Sequence, residues 1–432
     1  MTTHTLLRIH LSLLQRWGVG GVDNAWSQVG QQVLVDPRRE LSGGGHAAYL
    51  PMTSLAGSLR RHLGPLAEHW LGGRPGPLEA STGTLELAAS KLALLGAVGL
   101  DDTAVSSRGV TAGDPRRGAA QGNMLRREAW TDPVDLVVIG SHAGPADTEL
   151  LDKLADWHPF VGRGRGKGQG QAVVSLVEAL TVDLTQPAHL TWWLSERDGW
   201  LRGPAAAPAF AAPITRAGKT DVPAPLTIEW VVDEPVHVGS GDVDGDIGAG
   251  GVATMVRSRR RSFVPGSSWK GAFRHRVEAV LAVADADSEA VTGVCERLFG
   301  SVDMGRGLLW FGDSTAARDT TITRTHVAID RFTGGVRDGA LFQVEGMPRG
   351  ERLTLTISTP AGTLPAPVDN LVRHVVRDIH DGLVGIGGNG SRGYGSLRLA
   401  KPEALTTPQP LDLAGLLSAL GVQPDSTGDP HD

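Results

Sequence analysis

Residues 385–399 read GIGGNGSRGYGSLRL, and residues 162–176 read GRGRGKGQGQAVVSL. Each stretch is a glycine-rich loop that runs into a short apolar segment. Each also follows a segment with apolar residues at helical spacing, Asp369 to His380 in one case and Asp147 to Trp157 in the other. The sequence therefore predicts the same succession of helix, glycine-rich loop and strand at two places in the chain.

Three further pairs of segments match in the same order and at nearly constant separation. Four ordered matches of this kind indicate a tandem duplication. The further pairs are TLLRIHLSLL and WGVGG (5–14 and 17–21) with LTIEWVVDEP and HVGSG (226–235 and 237–241), LPMTSLAGSLRRHL (50–63) with VPGSSWKGAFRHRV (264–277), and GAAQGNMLRREAW (118–130) with GVRDGALFQVEG (335–346).

Within each half the predicted order is a strand, a helix opened by proline and serine, a middle section of short strands, a second helix and a last strand. This β-α-β-β-α-β order is the ferredoxin-like pattern. We therefore expect an α+β protein, a tandem duplication of ferredoxin-like (RRM-like) βαββαβ domains with insertions. Ser267 or Ser268 is the expected N-cap of one opening helix, and Ser54 that of the other. The expected parts are a first domain (1–202), a Pro/Ala-rich linker (203–225), a second domain (226–402) and a C-terminal tail (403–432) with one short helix at 411–420.

Composition narrows the class of protein. The 432 residues include 58 Gly and one Cys, and their formal net charge is −6. The single Cys295 excludes a disulfide framework and a cysteine-based zinc site, and no apolar run reaches the ~20 residues that a membrane helix needs. We expect a cytoplasmic protein that makes no membrane contact and has no intrinsic cofactor. Because the chain as a whole is acidic, nucleic-acid binding must use local clusters of arginine.

The glycine-rich loops and the helix openings carry the first candidate binding chemistry. Glycines leave backbone amides uncovered, so a phosphate can approach closely, and Arg392 adds charge to the later loop. The opening PGSSWKG places serines at a helix N-terminus, where an anion is favoured, with Lys270 and Arg274 in the first turns. A dinucleotide fingerprint does not fit, because it follows a strand and opens a helix. A tight turn and plain helix capping remain the structural alternatives.

The middle segments of the two halves carry a second set of candidate binding residues. Arg331 and Arg337 in one half and Arg126 in the other lie among glycines, and Phe332 is available to stack on a base. An exposed hairpin with solubilising charge is the alternative. The acidic loop GSGDVDGDIG (239–248) begins like a calcium-binding loop but lacks the later residues of an EF-hand. It is either a solvated loop or a place where a carboxylate positions a 2′-hydroxyl or binds Mg²⁺.

Together these motifs resemble the RAMP superfamily (repeat-associated mysterious proteins), specifically the backbone subunits of type III CRISPR effector complexes. HVGSG, VPGSSWKGAFR, AIDRFTGGVRDGALFQVE and GIGGNGSRGYGSLRL stand in the family's order across residues 226–400. The first half resembles a weaker copy, with LPMTSLAGSLR and KGQGQAVV. The resemblance implies two RAMP domains in tandem that bind a CRISPR guide RNA and its paired target RNA, assemble with other effector subunits and act in antiviral defence.

By this resemblance, the helix openings and glycine-rich loops would hold the guide backbone, and the hairpin would act as a thumb that kinks the guide–target duplex. Contacts to phosphates supply affinity, and base pairing supplies specificity. The residues expected to bind RNA are Thr53, Ser54, Arg60, Arg126, Lys167 and Gly168 in the first half and Ser267, Ser268, Lys270, Arg274, Arg331, Arg337, Gly390, Arg392 and Gly393 in the second.

Cleaving members of the family carry an Asp just before the strand that leads to the PGSS motif. Here Gly250 and Gly251 stand there in the second half, and Gly30 in the first, so the sequence favours a protein without catalysis. Asp246 and Asp23 lie a few residues upstream and are the catalytic candidates in the alternative that the chain is an endoribonuclease, in which case Mg²⁺ is expected.

Guide-precursor processing and protein interaction also remain open as functions. Processing would use general acid–base chemistry by a histidine, for which His326 and His275 are available. A protein-interaction module could keep the fold without binding RNA.

Overall fold

The computed structural model describes residues 2–20, 33–42, 46–73, 89–100, 103, 105–110, 113–114, 119–120, 126–164, 166, 168–220, 226–244, 251–258, 260–284, 286–301, 303–359, 362–404 and 408–422. We call residues 2–220 the first half and residues 226–422 the second half.

The first half is a mixture of strands and helices. Its strands are β1 (Thr3–Leu13), β2 (Val35–Glu40), β3 (His46–Ala48), β4 (Leu92–Val98), β5 (Val105–Val110), β6 (Gly113–Asp114), β7 (Ala119–Ala120), β8 (Arg126–Thr131), β9 (Asp135–Ala143), β10 (Ala172–Asp183) and β11 (Ile214–Ala217). Its helices are α1 (Met52–Leu63), α2 (Ala67–Leu71), α3 (Thr148–Ala155), α4 (Pro187–Ser195) and α5 (Arg197–Arg202).

Five of these strands form the main sheet of the first half, in the order β11-β10-β1-β9-β4. All four pairings are antiparallel. Helix α1 lies between β1 and β4 in the chain, and α3 lies between β9 and β10. The chain order β1-α1-β4-β9-α3-β10 is therefore a β-α-β-β-α-β order, with β11 added at one edge. Strand β11 lies inside the segment predicted to be a linker.

The second half continues the same mixture. Its strands are β12 (Leu226–Val232), β13 (Gly239–Asp244), β14 (Val252–Met255), β15 (Arg257–Ser258), β16 (Arg261–Val264), β17 (Gly300–Ser301), β18 (Gly305–Arg306), β19 (Trp310–Phe311), β20 (Ser314–Thr315), β21 (Ile322–Ile329), β22 (Val336–Gly346), β23 (Arg352–Ser358) and β24 (Leu397–Leu399). Its helices are α6 (Gly266–Val283), α7 (Ser288–Phe299), α8 (Ala366–His380) and α9 (Leu413–Leu420).

The main sheet of the second half has the order β24-β12-β23-β19, again antiparallel throughout. Helices α6 and α7 lie between β12 and β19 in the chain, and α8 lies between β23 and β24. The sheet therefore places its strands in the same relative positions as β10-β1-β9-β4 of the first half. The long hairpin of β21 and β22 belongs to a separate sheet with β13 and β14.

Apolar periodicity explains the predicted helices. In α8 the buried side chains recur at helical spacing along one face and pack against the sheet of the second half. Helix α3 begins after Asp147, whose carboxylate accepts the Leu150 N–H at 2.8 Å. These two helices confirm the segments predicted before the glycine-rich loops, and α9 confirms the short helix in the tail, where Leu416 and Leu420 are part of the core.

The predicted serine caps are wrong. Helix α6 follows Pro265 and α1 follows Pro51, and in neither case does the capping residue's side chain bond to the helix. The proline fixes an extended entry to the helix in both halves, with ψ near 146° at Pro265 and 132° at Pro51. For α6 a carboxylate from elsewhere in the fold takes the role of the cap, because the Gly266 N–H donates to Asp313 Oδ1 at 2.7 Å.

A buried ion pair joins the two halves. Arg16, just after β1, contacts the Oδ2 atom of Asp313 at 2.7 Å through Nη2 and 3.0 Å through Nε. The two side chains are 5% and 6% exposed. The Arg16 guanidinium lies 3.1 Å from the ring centroid of Phe263, and Trp130 packs edge-on against the same ring. The junction is therefore a packed interface with a charge pair inside it.

Helices α4 and α5 are an addition that the sequence pattern did not predict. They cover the face of the first sheet opposite to α1 and α3, where Trp192 and Trp200 pack with Leu6 and Leu180. No helix in the described part of the chain is both long and apolar enough to span a membrane.

Candidate nucleic-acid interface

The β21–β22 hairpin ends in a turn that is held by its own backbone. The Asp330 N–H donates to the Gly335 carbonyl at 2.9 Å, and Asp330 Oδ1 accepts the N–H groups of Thr333 and Phe332 at 2.9 Å each. These backbone hydrogen bonds hold the pKa of Asp330 below its usual value, and the bond from Thr333 has the largest effect. The motif residue Asp330 therefore shapes the hairpin tip.

Apolar side chains project from this hairpin into solvent. Phe332 at the tip is 89% exposed, and four more apolar residues in the half of the hairpin nearer the tip are also exposed. Arg331 and Arg337 lie beside them and are exposed as well. Adjacent exposed apolar groups mark an interaction site on a folded protein. With arginines among them, this surface suits a partner that has both planar rings and negative charge. The four are Val327, Ile329, Val336 and Leu341.

The glycine-rich loop of the second half is built on close backbone contacts. Gly387 has φ +93°, and a Cβ there would lie 2.3 Å from the His237 carbonyl oxygen. The neighbouring Gly388 N–H donates to the same oxygen at 2.8 Å. The loop is therefore locked against the HVGSG segment, which leaves Gly390 and Gly393 exposed.

One stack of rings and guanidinium groups connects this loop to the hairpin. The Arg392 guanidinium lies 5.0 Å from the Phe342 ring centroid, and the Phe342 and His326 rings are stacked at 5.2 Å and 20°. His326 Nε2 is 2.9 Å from the Tyr394 hydroxyl, and Arg324 lies over the Tyr394 ring at 5.6 Å. We call these five residues the arginine–aromatic cluster. It presents planar groups and positive charge on a partly exposed surface, which is what stacking on nucleobases requires.

Electrostatics keep the histidine of this cluster uncharged. Burial lowers the pKa of His326, and the positive charges of Arg392 and Arg324 lower it further. The imidazole is therefore neutral at pH 7, and the charge of the cluster comes from its two arginines.

A buried carboxylate supports the base of the hairpin. Glu345 accepts the Met255 N–H at 2.8 Å and the Thr321 hydroxyl at 2.7 Å, and it also pairs with Arg257. Burial raises the pKa of Glu345, but the hydrogen bonds from Arg257, Met255 and Thr321 outweigh it, so the net shift is downward. The Glu of the LFQVE motif thus ties β14, β15 and the residue just before β21 to β22.

The N-terminal turns of α6 place the predicted phosphate ligands in different settings. Ser267 and Ser268 are half-buried beside the amide that Asp313 caps. Lys270 faces the first half, because a Cβ on Gly166 would lie 3.6 Å from its Nζ. Arg274 donates to Glu278 on the next turn at 3.0 Å.

The predicted residues of the first half are less clearly grouped. Thr53 is exposed and Ser54 half-buried at the start of α1. Arg60 donates to the carbonyls of Leu71 and Gly72 at 2.6 and 2.9 Å, and so satisfies the end of α2.

Gly168 is buried, and a Cβ on it would lie 2.4 Å from the Phe311 carbonyl oxygen of the second half. Arg126 begins β8, but its side chain lies outside the described residues, as do Lys167, Asp23 and Asp246.

The sequence analysis did not single out Arg324, Phe342 or Tyr394 of the arginine–aromatic cluster. Arg324 could have been found, because it alternates with His326 along β21 and therefore shares its face. Phe342 and Tyr394 belong to the hairpin and loop motifs but fit equally well as core residues. Among the described residues, no group of three or more His, Cys, Asp or Glu side chains could hold a metal ion. Whether Asp246 or Asp23 binds Mg²⁺ stays a prediction.

The class defined by this fold and surface is an α/β protein with a candidate RNA interface. The family model that matches is that of the RAMP superfamily, over residues 231–398. This span contains α6, the hairpin, the glycine-rich loop and the whole arginine–aromatic cluster, and it covers less than half of the chain. At the level of the family, the match indicates a CRISPR-associated role in RNA binding. A search of curated proteins gave no match to this chain.

Proposed function

We propose that the chain is a guide-RNA-binding backbone subunit of a type III CRISPR ribonucleoprotein complex, acting in antiviral defence. The observation that carries the proposal is the arginine–aromatic cluster, in which the hairpin motif and the glycine-rich motif contribute to one partly exposed cationic surface. Both motifs lie inside the segment that matches the RAMP superfamily.

The proposal includes two RAMP domains in tandem. The support is topological, since the order β10-β1-β9-β4 in the first half corresponds strand for strand to β24-β12-β23-β19 in the second. Helices occupy the same places between these strands in both halves. Independent folds rarely share both chain order and strand order, so duplication is the simplest origin.

The proposed contacts divide into two kinds. Arg331, Arg337 and Arg392 would pair with phosphates, which supplies affinity without reading sequence. Phe332 at the hairpin tip would stack on, or part, neighbouring bases of the paired guide and target strands. The guide's own base pairing would then supply specificity, and the remaining effector subunits would extend the complex along the guide.

One observation favours a second candidate, guide-precursor processing. A neutral His326 beside Arg324 and Arg392 suits a general base next to groups that stabilise a phosphorane. Its Nε2 is engaged by Tyr394, so Nδ1 would have to accept the 2′-hydroxyl proton. Target cleavage through Asp246 or Asp23 with Mg²⁺ is a third candidate, which nothing in the described structure favours over the first.

The test is co-expression with the neighbouring genes, followed by sequencing of the RNA that co-purifies. We expect repeat-derived RNA of uniform length with the wild type, and its loss in the triple variant Arg331→Ala, Arg337→Ala and Arg392→Ala. The matched control removes three basic residues of the first half, Arg197, Arg216 and Lys219, which lie at α5 and near β11.

Retention of RNA by the first triple variant, or equal loss in the control, would contradict the proposal. Two incubations of the wild type separate the other candidates. Cleavage of precursor RNA in EDTA that is lost in His326→Ala would establish guide-precursor processing. Mg²⁺-dependent cleavage of guide-paired target RNA would establish endoribonuclease activity.

A further inference from the structure

A cleft of about 670 Å³ opens where the two halves meet. Arg61 of α1 and Gly166 of the first glycine-rich loop line it from the first half. Lys270 of α6 and the short β17–β18 hairpin line it from the second half. We call it the junction cleft. Its volume is in the range of ordinary ligand sites, and neither half alone could form it.

The junction cleft is cationic. Arg61, Lys270 and Arg306 line it, and no acidic side chain is among the described residues that do so. This concentration of one sign contrasts with the net charge of −6 for the whole chain. A concave surface lined by one sign of charge focuses the electrostatic potential, so the cleft favours an anion.

Arg306 is held in place by aromatic rings from both halves. Its guanidinium lies 3.7 Å from the Trp310 ring centroid and 4.8 Å from that of Phe160. The two rings meet edge to face at 5.0 Å, and the Trp310 Nε1–H donates to the Gly307 carbonyl at 2.9 Å. A guanidinium fixed in this way loses little conformational entropy when it binds a phosphate.

The β17–β18 hairpin adds small, polar lining. Gly300 has φ +82°, and a Cβ there would lie 2.4 Å from the Gly305 carbonyl oxygen, so the turn requires glycine. Ser301 Oγ accepts the Met304 N–H at 3.1 Å and keeps its own hydrogen to donate. Backbone and hydroxyl can therefore approach a phosphate oxygen beside the three cations.

We propose that the junction cleft binds consecutive phosphodiester groups of a single RNA strand, so that both halves hold one strand. The inference rests on the proposed function and extends it to a second surface, separate from the arginine–aromatic cluster. It assigns Arg61 and Arg306 to RNA binding. A free nucleoside triphosphate shares the same phosphate chemistry and is the competing source of the ligand. The strand is favoured because the lining comes from both halves and, among the residues that the structure describes, offers no set of polar groups that would hold a base.

The test is fluorescence anisotropy with a labelled oligouridine RNA over a series of salt concentrations. For the double variant Arg61→Ala and Arg306→Ala we expect the affinity to fall by about tenfold or more. The slope of log K against log salt should also decrease by about 0.7 for each phosphate that the variant no longer neutralises. The matched control is Arg297→Ala with Arg318→Ala, which removes two exposed arginines of the second half outside the cleft.

Two further variants guard against a folding artefact. Arg61 is exposed, so Arg61→Ala alone should fold normally and lower both affinity and salt slope. Arg306→Lys keeps the charge but not the planar group that stacks on Trp310, so it should bind with intermediate affinity.

The inference is overturned if the double variant binds RNA like the wild type while the triple variant Arg331→Ala, Arg337→Ala and Arg392→Ala loses it, and the proposed function then stands. If neither set of changes affects binding, both proposals fail. Displacement of the labelled RNA by ATP at lower concentrations than unlabelled oligouridine requires would assign the cleft to a nucleotide and also overturn the inference.

Discussion

Replacement of Asp313 by alanine removes the carboxylate that joins the two halves. The Arg16 side chain is 5% exposed and that of Asp313 is 6% exposed, so neither charge is hydrated to a useful degree. Asp313→Ala would take this carboxylate from a buried guanidinium and also from the Gly266 N–H at the start of α6. Breaking a buried ion pair by removing one partner costs about 3–5 kcal/mol, and we expect a loss of this size in the free energy of unfolding.

The assay is urea unfolding followed by tryptophan fluorescence. The matched control is Asp152→Ala, which breaks the ion pair of Arg216 and Asp152, with side chains 34% and 65% exposed. An exposed pair contributes about 0–1 kcal/mol, so the control should unfold close to the wild type. Both variants replace an aspartate of an ion pair by alanine, so the difference between their free energies of unfolding measures the effect of burial.

A second variant tests the physical cause. Arg16→Met combined with Asp313→Ala also removes the buried guanidinium of Arg16, and we expect this double variant to be more stable than Asp313→Ala alone. The reasoning is refuted if Asp313→Ala costs as little as Asp152→Ala. It is also refuted if the double variant is less stable than Asp313→Ala by the full cost of Arg16→Met, because the buried guanidinium of Arg16 would then not be the source of the loss.

Single sites provide three further predictions. Burial lowers the pKa of His237 below its ordinary 6.5. As the pH falls below 6.5, the unfolded chain therefore takes up a proton before the folded chain does, and the folded state loses stability. His237→Asn should make this loss of stability, measured by thermal unfolding, shallower. Gly387→Ala should lower the free energy of unfolding by about 1–3 kcal/mol, because Gly387 has a positive φ and its added Cβ would meet the His237 carbonyl. Gly57→Ala in α1 should instead stabilise the fold by about 0.5–1 kcal/mol, because no atom lies within 4 Å of the added Cβ. Equal effects of the two variants in urea titrations would contradict the strain argument. Burial raises the pKa of Cys295 to about 12, so iodoacetamide at pH 8 should label it only in denaturant, and rapid labelling of the native protein would contradict its burial.

Much of the fold could be predicted because its signals are local. The apolar spacing of α3 and α8 and the alternation of β1 lie within single segments, and the four matched pairs of segments predicted which ones correspond. Helices α4 and α5 were missed because they have no counterpart among the described residues of the second half and only a weak apolar stripe. Strand β11 was missed because its pairing partner β10, rather than its own sequence, makes it a strand.

The candidate site was predicted in part for the same reason. The glycine-rich loop and the hairpin have strong motifs, and Arg392, Arg331 and Arg337 on them are exposed. Arg306 had no signal, because its importance comes from Trp310 and from Phe160, which is far away in the chain. Contacts between the halves depend on how two sheets are placed, and no pattern within one segment records that placement.

The start of α6 shows how one motif can carry a different role from the one its sequence indicates. A helix N-terminus favours an anion, and PGSS was expected to offer it to a guide phosphate. In the fold, Asp313 already supplies a carboxylate to the first amide, and a phosphate placed there would meet a like charge. An RNA strand near α6 is therefore better held further along, where Lys270 lies in the junction cleft with Arg61 and Arg306. The carboxylate that joins the halves would thereby also direct the strand into the cleft that the junction creates.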